Sequence, residues 1–559
     1  MTILEAAPGS FRQFLSTLGR WQVAGLALVA VLATVLMVGV SPGTSFMDEY
    51  DNYLGAQVIL KGGALFTDYF TQHMPLTYYL ALPFVAVFGT NLVLIRVAFA
   101  LFLAIWLLTF SRHLLRAFGA RYAIVFVALV AISFGPAWAN MFMAETWIAW
   151  AVAHAVILFW TRSRNGVNPV GALITLAVLG CIPILSALAY APLSFAIYAL
   201  LAWWAVEYRR SARRRDWVGI GAALVAPYLV IVGILASTGS LGDFYFQAFQ
   251  FNTLYYAKIN DSAPSGAIDG IILIVQVFFT GLYHALTDRA LPNQPVALLF
   301  AAVTLVSLAW LVLRKQFTIA GVLAVFIFFA ASRGVWHETQ AGFAAILPGN
   351  PNSRHSTSLL LLGFLAVLAM SKDMVSANAK SMVSAGTLKV GKAIAILTVI
   401  AATVAVVVPS AASSARQLRD VIAGRNTVAV AHGPGTAPDI INTVNGPDDT
   451  YWLAPAEWDL QLYVTSRNAS NYYFYIDHVA ICVECEAKLS DDIEQNTPRV
   501  IWLRPDTPFG EKAMPAILAT FRSDYFTLDD PRLDGFYFLE ADRVDVIVRL
   551  DDAGYDTAD

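Results

Sequence analysis

Residues 41–90 read SPGTSFMDEYDNYLGAQVILKGGALFTDYFTQHMPLTYYLALPFVAVFGT. This stretch follows the first long apolar run and carries Asp48, Glu49, Asp51 and Asp68 against a single Lys61. Ionised carboxylates beside a bilayer are costly unless they face water, a cation or a substrate. An acidic loop set between apolar runs is therefore read as the working part of the chain, and the remaining segments are placed around it.

The 559 residues are 58% hydrophobic and 13% charged, with a mean hydropathy of +0.62. A soluble domain is about 45–50% apolar and about 25% charged. The composition describes a polytopic α-helical membrane protein, and the lipid bilayer is its first partner. A formal net charge of −3 gives no ground for nucleic acid or for a polybasic lipid anchor. Arg12 and Arg20 precede the run Trp21 to Val40, which is long enough to cross and too long for a usual signal-peptide core. Basic residues mark the cytoplasmic side, so the acidic loop faces outward.

The same rule orders the rest. Arg112, Arg116 and Arg121 return to the inside if only one crossing follows the loop. Residues 76–88, with Pro75 before them and Pro83 among them, are accordingly read as a helix lying on the outer face, and 92–110 as the second span. Further spans are expected near 122–138, 145–160, 170–187, 190–206, 217–236, 295–313 and 317–332, then one returning toward Lys372 and one over 394–408. The strongest topological mark is Arg209, Arg210, Arg213, Arg214 and Arg215. The total is about eleven crossings, rising to about thirteen if 76–88 and 271–286 also cross. The odd count places a polar segment, residues 412–559, outside. There β-rich pieces (427–430, 450–453, 499–503, 544–550) alternate with helix-like ones (457–465, 511–521), which predicts a C-terminal extracytoplasmic α/β domain after a membrane domain of residues 1–411.

Taken in order, the acidic pair, then Gly62-Gly63-Ala-Leu-Phe-Thr-Asp68-Tyr-Phe70, His73-Met-Pro75-Leu-Thr-Tyr78-Tyr79, Phe88-Gly89 and Arg96 resemble the first external loop of the GT-C glycosyltransferases. That superfamily includes the lipid A aminoarabinose transferase and the protein O-mannosyltransferases. The resemblance extends weakly through Glu145 and through Ser466-Arg467-Asn-Ala-Ser-Asn-Tyr-Tyr473. It implies a GT-C fold in a plasma (inner) membrane, and a polyprenyl-phosphate-linked sugar as donor. The acceptor it implies is a glycan, lipid or protein of the envelope. Asp48 would be the base of an inverting displacement, and Glu49 would orient the acceptor or a cationic group. Two departures concern the donor phosphate. Bacterial members often carry a Lys where this chain has Ser186-Ala-Leu-Ala-Tyr190, and a His-Tyr pair where it has Trp336-His337.

Sugar transfer from a lipid phosphate needs a base for the hydroxyl and positive groups for the departing phosphate. Arg333, His337, Arg354 and His355 form a basic group on the outer side, against the topological trend, and Arg suits phosphate through paired hydrogen bonds; snorkelling interfacial arginines are the rival reading. Arg96 is a further phosphate candidate, or else a partner for a loop acid. Asp68 and His73 would shape an acceptor groove, or simply close a turn. Glu145 would bind substrate, or be an interfacial carboxylate. Asp48 and Glu49 would alternatively cap a helix starting near Tyr50. No ligand spacing demands a metal, although the carboxylates could hold a divalent cation. Cys482 and Cys485 lack a second ligand pair and read as a local disulfide. Asn468-Ala-Ser470 fits a glycosylation sequon. A transporter or flippase is the rival class, but such proteins place ionisable groups at mid-membrane on broken helices, whereas here the acids gather outside. A docking partner in envelope assembly is a third reading.

Overall fold

A helix that is apolar on every side is stable only where every side is covered. The helix Ala144–Trp160 meets that condition, since all its residues from Glu145 to Trp160 are buried. In the computed structural model this helix lies at the centre of a helical unit. The structure describes residues 19–43, 46–162, 167–256, 294–331, 357–377, 407–425, 435–454, 458–473, 482–503 and 524–557, with scattered positions between 272 and 287. The chain divides into two compact units. Unit 1 comprises residues 1–44, 93–231 and 264–428; unit 2 comprises 45–92, 232–263 and 429–559.

The helices, in chain order, are α1 (Arg20–Val40), α2 (Met47–Leu60), α3 (Leu76–Phe88), α4 (Leu92–Phe118), α5 (Ala120–Ser133), α6 (Ala144–Trp160), α7 (Pro169–Ser186), α8 (Ala191–Tyr208), α9 (Arg214–Ser237) and α10 (Leu241–Tyr245). They continue with α11 (Gln294–Leu313), α12 (Phe317–Ala331), α13 (Thr357–Ala377), α14 (Ala437–Val444), α15 (Trp458–Gln461), α16 (Val483–Gln495) and α17 (Arg543–Asp552). Among the described residues six helical stretches are long and apolar enough to cross a membrane: Arg20–Val40, Leu92–Phe118, Pro169–Ser186, Leu188–Tyr208, Arg214–Ser237 and Thr357–Met374. Shorter apolar helices cover Leu76–Phe88, Ala120–Ser133, Ala144–Trp160, Leu298–Leu313 and Phe317–Ala331. Half of 271–286 and most of the expected span 394–408 lie outside the described residues, and residues 407–422 are helical.

In unit 1, α1 packs on α5, α6 on α7 and α13, and α11 on α13. The α7/α8 hairpin closes tightly because Gly180 has no side chain: a Cβ there would stand 2.2 Å from the Tyr198 ring.

Unit 2 contains a five-stranded sheet of β1 (Thr450–Ala454), β2 (Arg467–Asn468), β3 (Val500–Leu503), β4 (Tyr525–Phe526) and β5 (Phe536–Leu539). Its order is β2-β1-β3-β5-β4. β1 is parallel to β2 and β3, while β5 is antiparallel to β3 and β4. Ile440, Ile441 and Val444 of α14 share a core with Tyr451, Leu453, Val500, Phe536 and Phe538.

The expected strands at 450–453 and 499–503 are present, whereas 427–430 and 511–521 lie outside the described residues. Residues 544–550 are not a strand but lie in α17. Their β-branched alternation is overridden because Val546 and Leu550, four apart, bury fully against the sheet, and Asp545 pairs with Arg549 at i,i+4. The helix-like piece 457–465 shortens to the single turn α15.

Candidate active site on the first loop

The helix that carries the acidic pair starts about one turn earlier than the expected Tyr50. α2 begins at Met47, with Phe46 as N-cap and no side-chain cap bond. Asp48 and Glu49 thus lie inside the first turn, where unsatisfied backbone N–H groups favour carboxylates. Three acids within four residues meet three different fates. Glu49 is 0% exposed, and its Oε1 accepts the Tyr53 hydroxyl at 2.8 Å. Asp51 is 1% exposed. Asp48 remains partly exposed, while its backbone carbonyl accepts from Asn52 Nδ2 at 2.9 Å.

Asp51, which the sequence reading did not place in the site, is the centre of the loop. Its Oδ1 accepts the Tyr69 hydroxyl at 2.5 Å, and its Oδ2 accepts the Tyr78 hydroxyl at 2.5 Å and stands 2.9 Å from His73 Nδ1. Tyr78 also meets Thr71 Oγ1 at 2.6 Å. Hydrogen bonds to a charged group contribute about 1.5–3 kcal/mol each, and a carboxylate withdrawn from water requires such partners. Burial first, and then the Asp51 charge, hold the Tyr69 hydroxyl well above its ordinary pKa, so it stays a donor. Gly55 makes room for this cluster: a Cβ there would meet Tyr78 Cδ1 at 2.4 Å. The sequence signal that could have found it is the spacing of Asp51 to Tyr69, His73 and Tyr78, all within the quoted stretch.

His73 is therefore brought to Asp51. Asp68 closes a turn, as its Oδ2 accepts from Ala64 N at 2.7 Å while its own N–H donates to Ala64 O at 2.8 Å. The loop between α2 and α3 needs left-handed backbone at Gly62 (φ 91°) and at Phe66 (φ 73°). The strain at Phe66 is held by its burial, by its N–H to Tyr69 O at 3.0 Å, and by Gln247 Nε2 donating to its carbonyl at 2.6 Å. Phe70 stacks on Tyr472 at 4.6 Å between ring centroids and donates its N–H to Asn471 O at 2.8 Å. Asn471 Nδ2 returns a bond to Thr67 O at 3.0 Å. Ser466 to Tyr473, the second stretch of resemblance, thus meets the first loop through Asn471, Tyr472 and Tyr473.

Arg96 and Glu145 belong to unit 1. Arg96 is fully buried, and its Nη1 donates to Ser41 O at 3.2 Å and Gly43 O at 2.8 Å. Asn140 Nδ2 reaches the same two carbonyls at 3.3 and 2.7 Å. Both donors neutralise carbonyls at the C-terminal end of α1, the turn from which the chain enters the acidic loop. Glu145 lies in the first turn of α6, 7% exposed. Arg333, His337, Arg354 and His355 lie outside the described residues.

Among the described residues no group of three or more His, Cys, Asp or Glu is arranged to hold a metal ion. Cys482 and Cys485 form a disulfide with Cα atoms 5.1 Å apart. Asn468 is 4% exposed and bonded through both ends of its amide, to Gln461 Oε1 and from Ser470 N, so the sequon side chain is enclosed.

No family model matches the chain, and no curated protein matches it. Among solved structures it is similar to ArnT from Cupriavidus metallidurans bound to undecaprenyl phosphate, with a TM-score of 0.49 and 12% identity over 92% of this chain and 97% of that one. It is also similar to the archaeal oligosaccharyltransferase AglB from Archaeoglobus fulgidus in complex with an inhibitory peptide and a dolichol-phosphate. There the TM-score is 0.45, with 14% identity over 86% of this chain and 69% of that one. Neither likeness bears on the role of any residue.

Proposed function

We propose that this chain is a membrane glycosyltransferase of the GT-C type, moving a sugar from a polyprenyl-phosphate carrier to a hydroxyl of an envelope acceptor, with Asp48 as the base. One observation carries the assignment of the base: of the three acids on the first turns of α2, Glu49 and Asp51 are fully enclosed and hydrogen-bonded to tyrosines, and Asp48 is the one a substrate can reach. The apolar helices and the order of motifs in residues 41–96 support the class.

In this reading the Asp48 carboxylate takes the proton of the acceptor hydroxyl while that oxygen bonds to the anomeric carbon. The bond from that carbon to the phosphate oxygen breaks on the opposite face, and its electron pair leaves with the phosphate. Configuration inverts. No strong acid is required, because phosphate leaves as a stable anion. Glu49, held by Tyr53, sets the first turn of α2. Arg333, Arg354, His337 and His355 are proposed to receive the phosphate charge, and Glu145 to bind substrate. Arg96 acts through the turn at Ser41 and Gly43.

The test is transfer from radiolabelled polyprenyl-phosphate sugars to membrane extracts by purified wild type and Asp48→Asn. Removing a general base costs about 10²–10⁴ in rate. Loss of that size with an unchanged melting temperature is expected, and full transfer by Asp48→Asn would overturn the assignment.

A further inference from the structure

Within unit 2 a cleft of about 650 Å³ lies beside the C-terminal end of α2, walled by Lys61, Gly63 and Asp68 on one side and by Arg467, Asn468 and Ser470 on the other. A second cleft of about 550 Å³ shares Gln57, Lys61, Val464 and Thr465 with it. The two are therefore one trough, with Lys61 at the junction.

The chemistry of the trough is uneven. Lys488 is satisfied by Asp492 at 3.1 Å, whereas Lys61 and Arg467 make no side-chain hydrogen bond or ion pair among the described residues. Both side chains are exposed to solvent in the trough. The clefts also hold Asp68, Asp439 and Asp492, but these acids already accept hydrogen bonds from Ala64 N, Gly435 N and Ser470 Oγ respectively, which leaves the two cations as the charges open to an anionic ligand. Around the two cations stand Gln57, Thr67, Thr465 and Ser466, groups suited to hydroxyl-rich ligands. A peptide would pair with a sheet edge, yet the edge here, β2, is only two residues long.

We propose that this trough binds an anionic oligosaccharide, one bearing carboxylate or phosphate groups, through Lys61 and Arg467. Asp48 and Lys61 lie at opposite ends of α2, about 20 Å apart at 1.5 Å per residue. A chain held in the trough is thus gripped well away from the reacting hydroxyl, and binding energy collected there lowers the barrier to transfer by positioning. The role of the trough as an acceptor site rests on the transferase reading; its binding of anionic sugar does not.

The experiment is fluorescence anisotropy on the purified full chain in detergent, with labelled hexagalacturonate, maltohexaose and hexaglutamate as probes. Hexagalacturonate is expected to bind at least tenfold more tightly than the other two, with an affinity that falls as salt rises. The double variant Lys61→Gln/Arg467→Gln should lose at least tenfold for hexagalacturonate while keeping its melting temperature. Should that variant unfold, Gln57→Glu, which sets a carboxylate one helical turn from Lys61, should produce the same loss. Asp48→Asn should bind as wild type does. Equal affinity for maltohexaose, equal affinity for hexaglutamate, or unaltered binding in the variants would each overturn the proposal. Absence of transfer by a wild-type protein that binds the probe would overturn the transferase reading and leave the trough standing.

Discussion

Asp51, 1% exposed, meets two tyrosine hydroxyls and the His73 ring. Asp51→Ala would take the side-chain acceptor from two buried tyrosine hydroxyls, of which Tyr78 keeps Thr71, at roughly 1–3 kcal/mol for a buried group left unsatisfied. It is expected to lower the melting temperature of the full chain markedly and transfer with it, whereas Asp48→Asn lowers transfer alone. Thermal melts paired with rates on both variants check this separation. The acid pair was legible in the sequence because charge stands out in oily surroundings. Asp51 was not, since one aspartate among three looks the same until the chain folds and Tyr69 and Tyr78 arrive. A second ionisable group has a signed pH consequence. The Arg532 guanidinium and the Asp556 N–H hold the Asp530 carboxyl well below the usual carboxylate range. A depressed carboxyl contributes stability that is fully present above its unfolded pKa and lost as pH falls through its folded value. Melting temperature should therefore decline on acidification below the usual carboxylate range, and Asp530→Asn should flatten that acid limb while being less stable near neutrality.

At the scale of the element, α2 and α3 are held in contact by an absence. Gly55→Ala would gain about 1 kcal/mol of helix propensity. The new Cβ would nonetheless press on Tyr78 at 2.4 and 2.8 Å, and that ring cannot move without breaking its bonds to Asp51 and Thr71. Overpacking of this kind costs about 1–3 kcal/mol, so the clash wins. Gly55→Ala is expected to lower both melting temperature and transfer rate, and Tyr78→Ala in the same background should relieve the clash without restoring activity. A stability gain from Gly55→Ala would refute this packing. Helices in the membrane part were readable from their length and apolarity, because the bilayer leaves few alternatives. The segment 544–550 was not, because periodicity within seven residues is weaker than the contacts that bury Val546 and Leu550.

At the scale of the whole molecule, the distribution of arginines predicts that residues 209–215 face the cytoplasm and that residues 412–559 lie outside. Ser211 and Ala553 are exposed. Ala553→Cys should react with a membrane-impermeant maleimide in cells whose outer barrier is opened, and Ser211→Cys only after lysis. Labelling of both under the same condition would remove the odd number of crossings.

The bond from Asn471 to Thr67 joins residues 404 apart in the chain, and Phe70 and Tyr472 stack across nearly the same separation. Unit 2 therefore cannot be completed during synthesis until its last segment has emerged, long after the acidic loop has been made. In that interval Tyr69 and Phe70, both fully covered in the finished fold, lack the cover that Tyr473 and Tyr472 will supply. The loop is a half-built surface awaiting its lining, so a nascent chain halted before residue 471 carries an adhesive patch for folding helpers and for proteases. Deleting the C-terminal segment removes more than an appendage: it strips the wall on which the acidic loop is shaped.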